Sequence, residues 1–137
     1  MAQMILLDTD ILIDYFRGLP NAKSYIAGIP LAQRATTDVT LLELFQGAQN
    51  KRELMNIGRF ITANFTQILP ISTSASRIAV GLVKQYTLAK GLALPDALIA
   101  ALVLSVGGKL ITGNERHFEF IQRLDVEAPA YRTPPSP

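Results

Sequence analysis

The sequence predicts an α/β fold, a parallel sheet covered by helices on both faces, and three observations carry that prediction. Short apolar runs alternate with longer segments of helical periodicity, as in LLDTDILID at 6–14 and TTDVTLLEL at 36–44. The segment 95–106 is apolar almost all round, which places it in the interior of a layered fold. Each of three junctions between an apolar run and a helix carries an acidic residue: Asp8, Glu43 and Asp96.

The elements follow in order. Met4–Asp8 reads as a buried strand and Thr9–Arg17 as a first helix stopped by Gly18 and Pro20, with a second helix over Asn21–Ala27. Ala35–Asp38 is a short strand leading into a helix over 39–49, whose Leu41, Leu42, Leu44, Phe45 and Ala48 recur at helical spacing. A helix over 51–64 carries Leu54, Ile57 and Ile61 on one stripe. Gln67–Ile71 is a strand, and Ser72 caps a long helix to Lys90, where Gly91 supplies the stop. Pro95 opens the next helix at a position where its missing N–H costs little. Lys109–Thr112 is a strand, Glu115–Arg123 a short helix and Val126–Ala128 an edge strand. Four of the eight prolines fall in residues 129–137, so the chain is read as one domain over 1–128 with an irregular Pro-rich tail.

Composition sets bounds on function. With 137 residues and 49% hydrophobic content, one domain can close a core without staples. The absence of cysteine removes thiolate zinc sites, disulfides and Cys nucleophiles. The start MAQMILLDTD has no basic segment before its apolar run, and the apolar stretch 97–106 is too short to span a bilayer, so a cytoplasmic protein without a membrane segment is expected. A net charge of +2 is compatible with nucleic-acid handling, although the arginines, scattered from Arg17 to Arg132, read individually as solvated surface.

If the runs before Asp8 and Glu43 are parallel strands, their C-terminal ends share the sheet edge where open α/β folds place ligands. Asp96 can join them from the start of a buried helix. Taken singly, each acid also has a structural reading. Asp8 suits an N-cap, Thr40 and Glu43 have capping-box spacing, and Asp96 lies where the helix dipole favours negative charge. Those readings leave the convergence of all three unexplained. Carboxylates crowded at low dielectric need a raised pKa or a cation, so the set is read as a divalent-metal site.

Taken together, LLDTDILID, TTDVTLLEL, LPDALIAALVL at 94–104 and TGNERHF at 112–118 resemble the four ordered motifs of PIN-domain nucleases, particularly VapC-type toxins. The resemblance implies a three-layer α/β/α sandwich with a central parallel sheet. It further implies a Mg²⁺- or Mn²⁺-dependent ribonuclease, a VapB-like antitoxin partner and a homodimer. Asp8, Glu43, Asp96 and Asn114 fall on the motif positions as the catalytic set. Asp8, Asp96 and Glu43 are the expected metal ligands, with Glu43 an alternative general base. Asn114 stands where an Asp is also found, and offers a neutral carbonyl in its place.

Hard oxygen ligands suit such ions, which activate water and stabilise phosphoryl charge. Thr9 and Thr112 are placed to hydrogen-bond the ligating carboxylates, whereas Asp10 either helps or merely caps. Asp14 and Asp38 read as surface charges, His117 as a helix-start residue, and Arg34, Lys84, Lys90 and Arg116 as solvated cations near enough to meet RNA phosphates. The apolar residues of 39–64, including Leu44, Phe45, Leu54, Met55, Phe60 and Ile61, exceed one core-facing stripe, so part of them is expected to be exposed for a partner helix. Two other readings stay open: a haloacid-dehalogenase-like phosphatase using Asp8 as nucleophile, and a PIN-like module that binds RNA or a partner without cutting.

Overall fold

A computed structural model describes residues 2–132. Five short strands, β1 (Ile5–Leu7), β2 (Arg34–Thr37), β3 (Gln67–Leu69), β4 (Lys109–Ile111) and β5 (Asp125–Glu127), form one parallel sheet in the order β3-β2-β1-β4-β5. The period of two along each strand divides the core. Leu6, Ala35 and Leu110 face the layer of α5 (Thr73–Lys90) and α6 (Leu94–Val106). Leu7 and Ile111 face the other layer, made of α1 (Thr9–Phe16), α2 (Pro20–Ala27), α3 (Asp38–Gln46) and α4 (Lys51–Asn64). The expected three-layer sandwich is what forms. Among the described residues no helix is long and apolar enough to cross a membrane.

Helix ends follow local chemistry. Ser72 accepts from the Ala75 N–H to start α5, and Gly91 ends it at φ 66°, in the left-handed region glycine enters at little cost. Alanines 75, 79, 97, 100 and 101 are fully or nearly buried, which lets α5 and α6 lie close against each other and the sheet. Pro70, which has no N–H for a ladder, follows the last residue of β3, so the strand expected to reach Ile71 stops at Leu69. The expected helix over 39–49 instead runs over 38–46, because Thr37 is its N-cap and Gly47 its C-cap.

Two expectations fail near the C-terminus. Residues 115–123 do not form a helix. A single 3₁₀ turn, Glu115–His117, is followed by turns that sink Phe118 and Ile121 into the core, and Arg123 at φ 69° is incompatible with helix. The irregular tail expected from Pro129 contains a 3₁₀ turn at Ala130–Arg132 that docks on α1 through Asp14. The rest of that tail, 133–137, lies outside the described residues.

Candidate active site at the sheet edge

The chain order reverses at β1, which has β2 on one side and β4 on the other. The C-terminal ends of β1 and β4 therefore form the crevice that this topology opens for ligands. Asp8 sits there as the N-cap of α1. Its N–H donates to Ile111 O at 2.9 Å, Oδ1 accepts from Thr9 N at 2.8 Å, and Oδ2 accepts from the Thr112 hydroxyl at 2.8 Å. At 7% exposure, burial and then the charge of Asp10 push the Asp8 carboxyl up to about 7; the Thr112 and Thr9 bonds oppose the rise and Asp96 adds to it.

Asp10 occupies the first turn of α1. Its Oδ2 accepts from Gly113 N at 2.8 Å and from Asn114 Nδ2 at 3.3 Å, and lies 3.5 Å from Arg132 Nη1. Its Oδ1 is buried with no partner. Burial raises the Asp10 pKa, and Arg132 works against the rise.

Glu43 comes from α3. Its Oε1 accepts from Thr9 Oγ1 at 2.7 Å, while the side chain stays open to solvent. The expected Thr40/Glu43 capping box does not form. Thr37 is the cap and takes the Thr40 N–H at 3.1 Å, so Glu43 lies a turn beyond the helix start and is free to face the site. Asp96 opens α6 with Oδ2 3.4 Å from His117 Nδ1. Burial raises its pKa, His117 opposes this, and Glu43 and Asp10 raise it further.

The fold thus brings Asp8, Glu43 and Asp96 to one edge. Thr9 and Thr112 hold carboxylates there as expected. Asn114 is present as a donor to Asp10. Among the described residues no three His, Cys, Asp or Glu side chains are arranged to hold an ion. The donor set nonetheless fits a hard cation. The carboxylates raise one another's pKa, and the orphaned Asp10 Oδ1 is a buried acceptor without a donor.

Four readings of single residues change. Asp14 is not a surface charge: at 4% exposure it is clamped by Arg132 Nε at 2.7 Å and Nη2 at 2.9 Å, with the Tyr131 hydroxyl at 2.8 Å. Burial acts to raise its pKa, and the bonds from Arg132 and Tyr131 outweigh burial and hold it low. Arg132 is accordingly no freely solvated cation. Arg34 is engaged by Ile29 O, Ala27 O and Asn64 Oδ1 rather than freely solvated. His117, read as a helix-start residue, pairs with Asp96. One signal was present in the sequence: Asp10 and Asp14 are spaced i, i+4, on one face of α1.

A groove of 390 Å³ adjoins Glu43, walled by Ile13 and Phe16 of α1, Leu44 of α3 and Ile57 of α4. Leu54 and Met55 are exposed as expected, but Leu44, Phe60 and Ile61 are buried and Phe45 packs half-buried on the core. Most of the groove's wall comes from the helical pair and its connection, and α1 closes one side of it.

The model of the PIN domain family matches residues 5–124. A toxin–antitoxin complex from Klebsiella pneumoniae contains a chain 32% identical, at a TM-score of 0.71 over 88% of this chain and 94% of that one. DNA-bound VapBC from Salmonella typhimurium is 23% identical, at a TM-score of 0.78 over 93% and 98%. VapBC2 from Rickettsia felis, bound to a promoter DNA fragment, is 20% identical, at a TM-score of 0.77 over 91% and 98%. No curated protein matches the chain.

Proposed function

The chain belongs to the PIN domain family, and from that premise we propose that it is a metal-dependent endoribonuclease acting as the toxin of a VapBC-like toxin–antitoxin pair. The observation that carries the reading is the meeting of Asp8 and Asp10, from the start of α1, with Asp96 of α6 at the β1/β4 switch point, where each has a raised pKa. Such a cluster gains most from a cation and an anionic substrate together.

Asp8 and Asp96 would hold the ion, Mg²⁺ or Mn²⁺, with Glu43 as a third ligand or as the base that takes a proton from the attacking water. When bound, the ion supplies a polarised water and charge stabilisation at the phosphoryl oxygens. The hydroxyls of Thr112 and Thr9 donate to the carboxylates of Asp8 and Glu43 and would orient them as ligands. Asn114 steadies Asp10. The phosphatase reading fits poorly, since the family model that matches residues 5–124 is that of the PIN domain. The proposed partner is an antitoxin whose apolar helix lies in the groove beside Glu43 and so reaches the site.

The test is cleavage of structured and single-stranded RNA with Mg²⁺ or Mn²⁺ by wild type and Asp8→Asn. Cleavage by wild type that falls at least a hundredfold in the variant is expected. Binding of RNA without cleavage would leave the non-catalytic module, and hydrolysis of a phosphomonoester alone would restore the phosphatase.

A further inference from the structure

We propose that Arg132 is a positioning residue of this site, a resident cation at Asp10 that takes the place of a second metal ion, so that the chain binds one divalent ion. The inference rests on the nuclease reading above.

The turn at 130–132 brings Arg132 back over α1. One edge of its guanidinium clamps the buried Asp14 through Nε and Nη2, at 2.7 and 2.9 Å. The planar fork leaves Nη1 free to point elsewhere, and it lies 3.5 Å from Asp10 Oδ2. That oxygen also accepts from Gly113 N and Asn114 Nδ2. Three donors therefore gather at Oδ2, while Oδ1 is buried without a hydrogen-bond partner, with the nearby Ile11 N–H favouring the carboxylate's charge. The carboxylate is divided: one oxygen belongs to the protein, and the other is left for a ligand.

The loop after β4 is shaped around this contact. A Cβ on Gly113 would collide with the Arg132 guanidinium and come within 2.6 Å of Asp10 Oδ2. A pair of ions roughly 3.5–4 Å apart needs anionic oxygens on both sides. On the outer side of Asp10 the chain instead presents a neutral amide, a backbone N–H and a guanidinium. Removing the guanidinium would leave Asp10 and Asp14, spaced i, i+4 on one helix face, as an uncompensated pair able to take a second cation.

The experiment is a Mn²⁺ titration of the full chain by calorimetry, with electron paramagnetic resonance to detect spin-coupled Mn²⁺ pairs. Wild type and Arg132→Lys should bind one ion per chain and show no coupled signal. Arg132→Gln should bind two and show one. Gly113→Ala, whose Cβ would collide with Arg132 Nη1 and Cδ, displaces the side chain from Asp10 by another route and should also bind two, with the fold of both variants checked by circular dichroism. Two ions on wild type overturn the inference and leave the nuclease reading intact. One ion on both variants overturns it by reducing Arg132 to an anchor for Asp14. No ion on folded wild type overturns it together with the metal-site reading.

Discussion

Asp8 does two things with one carboxylate: it caps α1, and it sits buried among like charges at the switch point. The second has a measurable cost in stability. Its pKa rises from the ordinary 3.8 to about 7, so in that window the metal-free folded chain holds a proton that the unfolded chain has lost. The favourable contribution is complete below the unfolded value and is lost as pH rises through about 7, on the order of a few kcal/mol in all. Asp10 and Asp96 shift in the same direction. Asp14, held low, acts oppositely: its contribution is present above the ordinary value and lost as pH falls below it. Thermal melts in chelator should therefore give a higher Tm at pH 5 than at pH 8, with the slope flattened in Asp8→Asn. Mn²⁺ should restore Tm at pH 8 by linkage. Equal melting temperatures at the two pH values in chelator would contradict this account of Asp8. At the ligand level, Asp96→Asn should weaken Mn²⁺ binding at least tenfold by calorimetry, and an unchanged isotherm would remove Asp96 from the metal set.

Among the elements, α1 carries the most. One face holds Asp10 and Asp14 toward Arg132; another offers Ile13 and Phe16, at 36% and 37% exposure, to the groove. A substitution on the groove face can thus be separated from the chemistry. Ile13→Glu should keep Mn²⁺ binding and RNA cleavage while weakening inhibition by the antitoxin at least tenfold, since it sets a charge against the apolar helix proposed to lie there. Full inhibition of this variant would move the partner surface elsewhere. Phe45, which its helix register suggested for this role, is half-buried on the core, so changing it would test packing rather than binding.

At the scale of the whole molecule, β3 is a sheet edge with Ile68 exposed, and Ile71 and Val80 share a neighbouring surface groove, Val80 at 60% exposure. An open edge flanked by apolar side chains is a place for self-association. The homodimer that the family resemblance implies should form there, and Val80→Glu should convert it to a monomer in light scattering. A wild-type monomer at micromolar concentration would defeat the dimer.

By itself the sequence determined what local chemistry controls. Apolar runs of alternating strand and helix period set the parallel sheet between two helical layers, and Ser72, Gly91 and Pro95 marked element ends through their own backbone preferences. Asp8, Glu43 and Asp96 were legible because each stands at a junction that parallel topology sends to the same edge. Tertiary structure decided what depends on segments far apart in the chain. Whether Asp14 is a surface charge or a buried ion follows from where residue 132 returns, and no spacing near Asp14 carries that. Thr40 and Glu43 match a capping box locally, yet Thr37 takes the cap and Glu43 goes to Thr9, 34 residues away in the chain. The physical reason is the same in both cases. A carboxylate's partner is chosen by whichever donor the packed fold brings within about 3 Å, and local propensity is too weak to decide against it.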